Sequence, residues 1–166
     1  MAIWNSVSPL HYYGSSRDSG TVSAIDSTNN AVVKNITVGS FPESIIFNPS
    51  NNSTYVANVV SNTISIINSS TNTITGEVDV GMDPVALEIN PSNSNIYVAN
   101  RGSGSVSIID GTNNSLIDNV NVGTSPIGLK FNPLNSNIYV ANHDSATVSV
   151  IDTTDNQVVS DVVVNN

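Results

Sequence analysis

Residues 83–124 read DPVALEINPSNSNIYVANRGSGSVSIIDGTNNSLIDNVNVGT, and closely similar text stands on either side of them. Pro42, Pro84 and Pro126 form one set at a spacing of 42 residues, Pro49, Pro91 and Pro133 a second, and Tyr55, Tyr97 and Tyr139 a third, each tyrosine preceding Val-Ala-Asn. A fixed period of this size marks one supersecondary unit used repeatedly, because a single unit cannot bury its own apolar faces. Within the quoted unit, Val85 to Ile89 is a short alternating run stopped by Asn90-Pro91. Proline cannot continue a ladder, so a turn follows at Ser92 to Asn95. Ile96 to Ala99 is a second run, closed by Asn100 to Gly104; Val106 to Ile109 is a third, closed by Asp110 to Asn114; Leu116 to Val122 is a fourth, ended by Gly123.

Val, Ile and Thr dominate these runs, residues that suit a pleated surface and are mediocre in helices. No segment sustains a 3.6-residue period. Four antiparallel strands per unit is the arithmetic of a propeller blade. A β-helix needs much shorter repeats, and a sandwich needs no strict period. The fold expected is therefore all-β, a β-propeller of four-stranded antiparallel blades over residues 1–166, with blades at about 1–40, 41–82, 83–124 and 125–166. The first unit is degenerate: Tyr13 keeps the Tyr register and Thr21 to Asp26 the third strand, but Gly14-Ser15-Ser16 replaces Val-Ala-Asn and Pro9 lies two positions off the Asn-Pro register. In the last unit Asn165 stands where the others have Gly.

The units resemble the YVTN-type β-propeller repeat of surface-layer and related secreted proteins. The matching pieces are Tyr55-Val56-Ala57-Asn58, Tyr97-Val98-Ala99-Asn100 and Tyr139-Val140-Ala141-Asn142, each followed by a TISIIN, SVSIID or TVSVID strand. The resemblance covers essentially the whole chain and implies the fold; its blades serve adhesion-like, enzymatic and cofactor-holding proteins alike. It also implies rings of seven or eight blades. Four blades left as an open half ring expose an apolar face at each end, and two half rings placed head to tail bury both. A homodimer closing one eight-bladed ring is the expected partnership; the alternatives are a compact four-bladed monomer or a piece of a longer polypeptide.

Composition narrows the partners. With 13 acidic against 4 basic residues the net charge is −9, which repels phosphate backbones and anionic lipid, so no nucleic acid is expected. No apolar run reaches the length of a membrane span, so no membrane insertion is expected, and Met1 to Leu10 lacks the basic start and apolar segment of a signal peptide. Cysteine is absent, which removes disulfides and thiolate chemistry. Charged residues make up only 10%, and Asn, Ser and Thr supply the polarity. Five sequons, at Asn35, Asn51, Asn52, Asn68 and Asn113, permit glycosylation if the chain works outside the cell or at its surface, the expected location.

The loops after the second strand of each unit, Gly14 to Gly20, Asn58 to Asn62, Asn100 to Gly104 and Asn142 to Ala146, hold the unusual residues: Arg17, Asp18, Arg101, His143 and Asp144. Arg17, Arg101 and His143 share one register with Val59. Loops on a rigid scaffold are where binding groups sit, so these five are the ligand-binding candidates; the plainer reading is solvated loop residues. Trp4, Ile46, Glu88 and Lys130 share a register of the first strand, where Glu88 and Lys130 lie in adjacent blades and can pair. No metal or cofactor is expected, since His11 and His143 lie in different registers. A calcium site from Asp83, Asp118 and Asp144 has no EF-hand spacing. No nucleophile motif appears. The Asn of each Val-Ala-Asn reads as a turn former. Three functions follow: a non-catalytic binding or scaffolding propeller that engages a macromolecule or glycan, an enzyme or cofactor holder of the lyase, lactonase or haem-carrying sort using Arg17, Arg101 and His143, or a small-ligand module in the central channel.

Overall fold

The structure, a computed structural model, describes residues 4–7 and 11–164. Pro9 and Asn165 lie outside the described residues, as does the side chain of Trp4. The first blade consists of β1 (Trp4–Val7), β2 (His11–Ser16), β3 (Thr21–Asp26) and β4 (Val32–Thr37). The second holds β5 (Pro42–Asn48), β6 (Ser53–Asn58), β7 (Thr63–Asn68) and β8 (Thr73–Asp79). The third holds β9 (Pro84–Ile89), β10 (Ile96–Asn100), β11 (Ser105–Ile109) and β12 (Leu116–Asn121). The fourth holds β13 (Pro126–Asn132), β14 (Asn137–Asn142), β15 (Thr147–Asp152) and β16 (Gln157–Val163). Each blade is one four-stranded antiparallel sheet in sequence order.

Turn chemistry sets these boundaries. Asn48, Asn90 and Asn132 accept from the backbone N–H two residues on, at 3.0, 2.9 and 3.0 Å, so the side chain mimics the next turn of backbone after each first strand. Asp26, Asp110 and Asp152 do the same after the third strands, from Thr28, Thr112 and Thr154. The residue four positions beyond the start of that turn, Asn30, Asn72, Asn114 and Asn156, is left-handed in every blade, with φ of 59, 53, 63 and 60°. Asparagine tolerates that region better than most residues. A one-residue slip recurs once per blade between the third and fourth strands, at Ala24/Ile25, Ile66/Ile67, Ile108/Ile109 and Val150/Ile151. The first blade also departs from the others at its inner strand: Trp4 faces Gly14, whereas Ile46, Glu88 and Lys130 face Tyr55, Tyr97 and Tyr139.

The chain falls into two compact units, Met1–Asp79 and Val80–Asn166. Each contains one seam between two blades. In the first unit Tyr13, Val22, Ala24 and Ile36 of one blade meet Ile45, Val56 and Ile67 of the next. In the second, Tyr97, Val106 and Ile108 meet Phe131, Ile138, Val140 and Ile151. These are the same register positions, so one sequence pattern builds both seams. A tyrosine locks each: Tyr13 donates its hydroxyl to Asn72 Oδ1 at 2.6 Å, and Tyr97 donates to Asn156 Oδ1 at 3.3 Å. Burial raises both phenol pKa values, that of Tyr97 to about 12.

The Asn that closes Val-Ala-Asn is no simple turn former. Asn58, Asn100 and Asn142 are buried. Each donates through Nδ2 to two hydroxyls of the neighbouring strand, Thr63 and Ser65, Ser105 and Ser107, or Thr147 and Ser149, at 2.8 to 3.1 Å. Ser107 and Ser149 pass the chain on to Asn119 and Asp161 of the outer strand. A buried amide is retained only where such partners exist, and here they tie three strands of a blade together.

Candidate functional site

The loops after the second strands stand on a shared backbone frame. The N–H of Val59 donates to Phe41 O at 3.1 Å, that of Arg101 to Asp83 O at 2.9 Å, and that of His143 to Ser125 O at 2.9 Å. Phe41, Asp83 and Ser125 occupy one register and are left-handed, at φ of 61, 60 and 54°. A second rung follows in each: Val60 to Ser40, Gly102 to Met82, Asp144 to Thr124. The frame is thus common and the side chain that it presents differs.

What the side chains do diverges more than their register implies. Arg17 reaches the next blade, where its guanidinium pairs with Glu43 and lies 5.0 Å over the Phe41 ring. Arg101 donates through Nε to Asp83 Oδ2 of its own blade at 2.7 Å. Equal register therefore does not give Arg17 and Arg101 equal roles. The cause is local: Glu43 has Val85 and Ile127 as its counterparts, and Asp83 has Phe41 and Ser125. Asp18 is exposed beside Arg17.

His143 and Asp144 form an exposed pair, Nδ1 to Oδ1 at 2.6 Å, and Ser125 donates to the other carboxylate oxygen. The Ser125 hydrogen bond first, and His143 second, hold the Asp144 carboxyl below the usual carboxylate range. The order of this chain matters chemically. A nucleophilic triad places the imidazole between hydroxyl and carboxylate so that it can take the hydroxyl proton. Here the carboxylate is central, so the Ser125 proton is directed to Asp144 and His143 is placed to orient or bind.

Two clefts accompany the loops, one in each unit. The first, about 440 Å³, is lined by Arg17, Asp18, Ser19, Gly20, Ser40, Phe41 and Val60. The second, about 360 Å³, is lined by Arg101 to Gly104 and Asn121 to Thr124, which are register counterparts of much of the first. Each lies at the mouth of a seam and carries one arginine. Away from the loops, Lys130 Nζ donates to both carboxylate oxygens of Glu88 at 3.0 and 3.1 Å, pairing adjacent blades as their shared register leads one to expect. Among the described residues no group of three His, Cys, Asp or Glu side chains is placed to hold a metal ion. Asp83 and Asp144 are engaged as above, and Asp118 accepts from the Asn119 N–H. Nor is any helix among the described residues long and apolar enough to cross a membrane.

A family signature described as YNCE-like beta-propeller matches residues 1–163. The chain belongs to the YNCE-like β-propeller family. That membership agrees with the four four-stranded sheets and with the propeller reading of the repeats. Among solved structures, a chain of Kuenenia stuttgartiensis hydrazine synthase superposes with a TM-score of 0.87 at 21% identity, covering 96% of this YNCE-like chain and 48% of that one. A functionally unknown protein from Desulfotomaculum acetoxidans DSM 771 gives 0.81 at 18% identity, covering 95% and 54%. At such identities the likeness carries the fold alone. This chain spans about half the length of both. No curated protein sequence matches it.

Proposed function

We propose that this chain is a non-catalytic binding scaffold that works outside the cell or at its surface as half of an eight-bladed ring, completed by a second copy. The observation that carries the binding reading is the loop frame. One hydrogen-bonded backbone geometry presents Val59, Arg101 and His143 in turn. A rigid scaffold bearing a varied set of side chains in repeated loops is suited to recognition of an extended partner, a protein or a glycan. Arginine beside hydroxyl-rich cleft walls offers directional donors to sugar hydroxyls and acidic sugars.

The ring reading is supported by the two outer blade faces. Tyr97 and Val106 are fully buried in the seam of the second unit. Their counterparts on the last blade, Tyr139 and Val148, are only half-buried, and Ala141 beside them is exposed. On the first blade Ile25 is half-buried and Tyr12 is 37% exposed, where Ile151 and Ile138 of the fourth blade are fully buried. Covering faces of this kind drives association through apolar burial.

The test has two arms. Sedimentation equilibrium should give twice the 17.4 kDa chain mass. A panel of neutral and acidic glycans and surface polypeptides should show a ligand that binds the wild-type chain and is lost on Arg17→Ala, Arg101→Ala or His143→Ala, with the melting temperature nearly unchanged for the last two. Binding indifferent to all three loop changes would remove the loops from the reading. Turnover of a substrate abolished by His143→Ala would replace the reading with an enzymatic one.

A further inference from the structure

Every blade carries both halves of one joint. Tyr13, Tyr55, Tyr97 and Tyr139 share a register on the second strand, and Asn30, Asn72, Asn114 and Asn156 share one in the turn between third and fourth strands. In each seam the tyrosine of one blade donates to the turn asparagine of the next: Tyr13 to Asn72, and Tyr97 to Asn156. In two blades the phenol oxygen also accepts within its own blade, Asn51 donating to Tyr55 at 2.8 Å and Asn135 donating to Tyr139 at 3.0 Å. The hydroxyl proton is thereby left for the neighbouring blade.

Tyr139 lies on the fourth blade and Asn30 on the first, and neither takes part in the two joints above. Tyr13, Tyr55 and Tyr97 are fully buried, whereas Tyr139 is half-buried. Asn72 is buried and Asn114 and Asn156 are half-buried, whereas Asn30 is exposed. Among the described residues the Tyr139 hydroxyl donates to no acceptor and the Asn30 carboxamide has no partner. Asn30 nevertheless holds the same left-handed conformation, φ 59°, as Asn72 at 53° and Asn156 at 60°, so the acceptor is already in place.

We propose that Tyr139 of one copy donates to Asn30 Oδ1 of a second copy, the last blade of each chain seating on the first blade of the other. The contact continues the seam pattern seen twice within the chain, with Tyr139, Ala141 and Val148 meeting Tyr12 and Ile25 around the bond. This inference rests on the ring reading above, and it names the polar contact that gives the seam its register. Apolar faces alone can slide, while a buried donor and acceptor that must meet penalise every other docking.

A double-mutant cycle on the dissociation constant of the full chain tests it. A ring of two chains contains the bond twice, so Tyr139→Phe should weaken the dimer roughly 30-fold, as should Asn30→Gly, which keeps the left-handed turn and removes the amide. The two together should weaken it by less than about threefold beyond either alone, the mark of groups that act on each other. Tyr13→Phe deletes the same bond inside one chain, and it should lower the melting temperature while leaving the dissociation constant unchanged. A dimer whose affinity ignores Tyr139→Phe and Asn30→Gly would overturn the joint and leave the ring standing. Additive losses would overturn the pairing of these two residues. A folded species of single-chain mass at all accessible concentrations would overturn both the joint and the ring.

Discussion

Gly81 lies so close to the side chain of Asn100 that a Cβ added to it would fall 2.6 Å from Nδ2. Gly39 stands in the same relation to Asn58, and Gly123 to Asn142. The glycine that ends one blade thus seats the buried asparagine of the next. Gly81→Ala should cost about 1–3 kcal/mol through overpacking, since the Asn100 atoms that it meets are buried and hydrogen-bonded. Gly128→Ala, with nothing within 4 Å of the added carbon, should be nearly neutral. Urea midpoints of the two variants check the contrast, and equal losses would contradict it.

Asn100→Ala removes the donor to Ser105 and Ser107 and leaves two buried hydroxyls to repair their network. A loss of about 2–3 kcal/mol is expected. Arg101→Ala and His143→Ala, one residue further along their loops, should each change stability by less than about 0.5 kcal/mol, because their side-chain contacts are solvent-exposed. Thermal denaturation of the three variants side by side separates the structural residue from the displayed ones.

Stability should fall in acid through a defined set of turns. Threonine hydrogen bonds hold the carboxyls of Asp26, Asp110 and Asp152 below their ordinary value. A lowered folded pKa contributes stability that is present above the unfolded value, near 3.9, and is lost as pH falls through the folded one. The melting temperature should therefore decline below about pH 4. Replacing all three by Asn keeps the turn, as Asn68 does in the second blade by accepting from the Ser70 N–H, and should flatten that decline. An acid limb unaltered in the triple variant would assign it to other groups.

At the alkaline end the sign reverses. The Tyr97 phenol, raised to about 12, favours its neutral form in the folded chain. It contributes stability that is complete below the unfolded value, about 10, and is lost as pH rises through the folded one. Ultraviolet phenolate titration should show a late-ionising tyrosine that disappears in Tyr97→Phe. Loss of an early-ionising group instead would place Tyr97 in water.

The blades could be read from the repeats because each strand end is written in local chemistry, Asn-Pro after the first strand and an Asp- or Asn-led turn after the third. The fate of Asn58, Asn100 and Asn142 could not. Strand periodicity says which face a residue occupies, yet it does not reveal that Gly39, Gly81 or Gly123 presses upon it from the end of the preceding blade. The candidate loop residues were visible as a register. Their partners were hidden, because Glu43 has no charged counterpart in other blades and Ser125 looks like one serine among many. The Glu88 and Lys130 pair was legible for the opposite reason: both charges sit in the register itself.

A tyrosine on one face and its asparagine on the other make each blade a tile with a plug and a socket. Such a tile carries no instruction about how many of its kind come before or after it. Gene duplication can therefore lengthen the array, and loss of a segment shorten it, without any new joint having to be invented. What limits the tally is only whether the final plug finds an open socket.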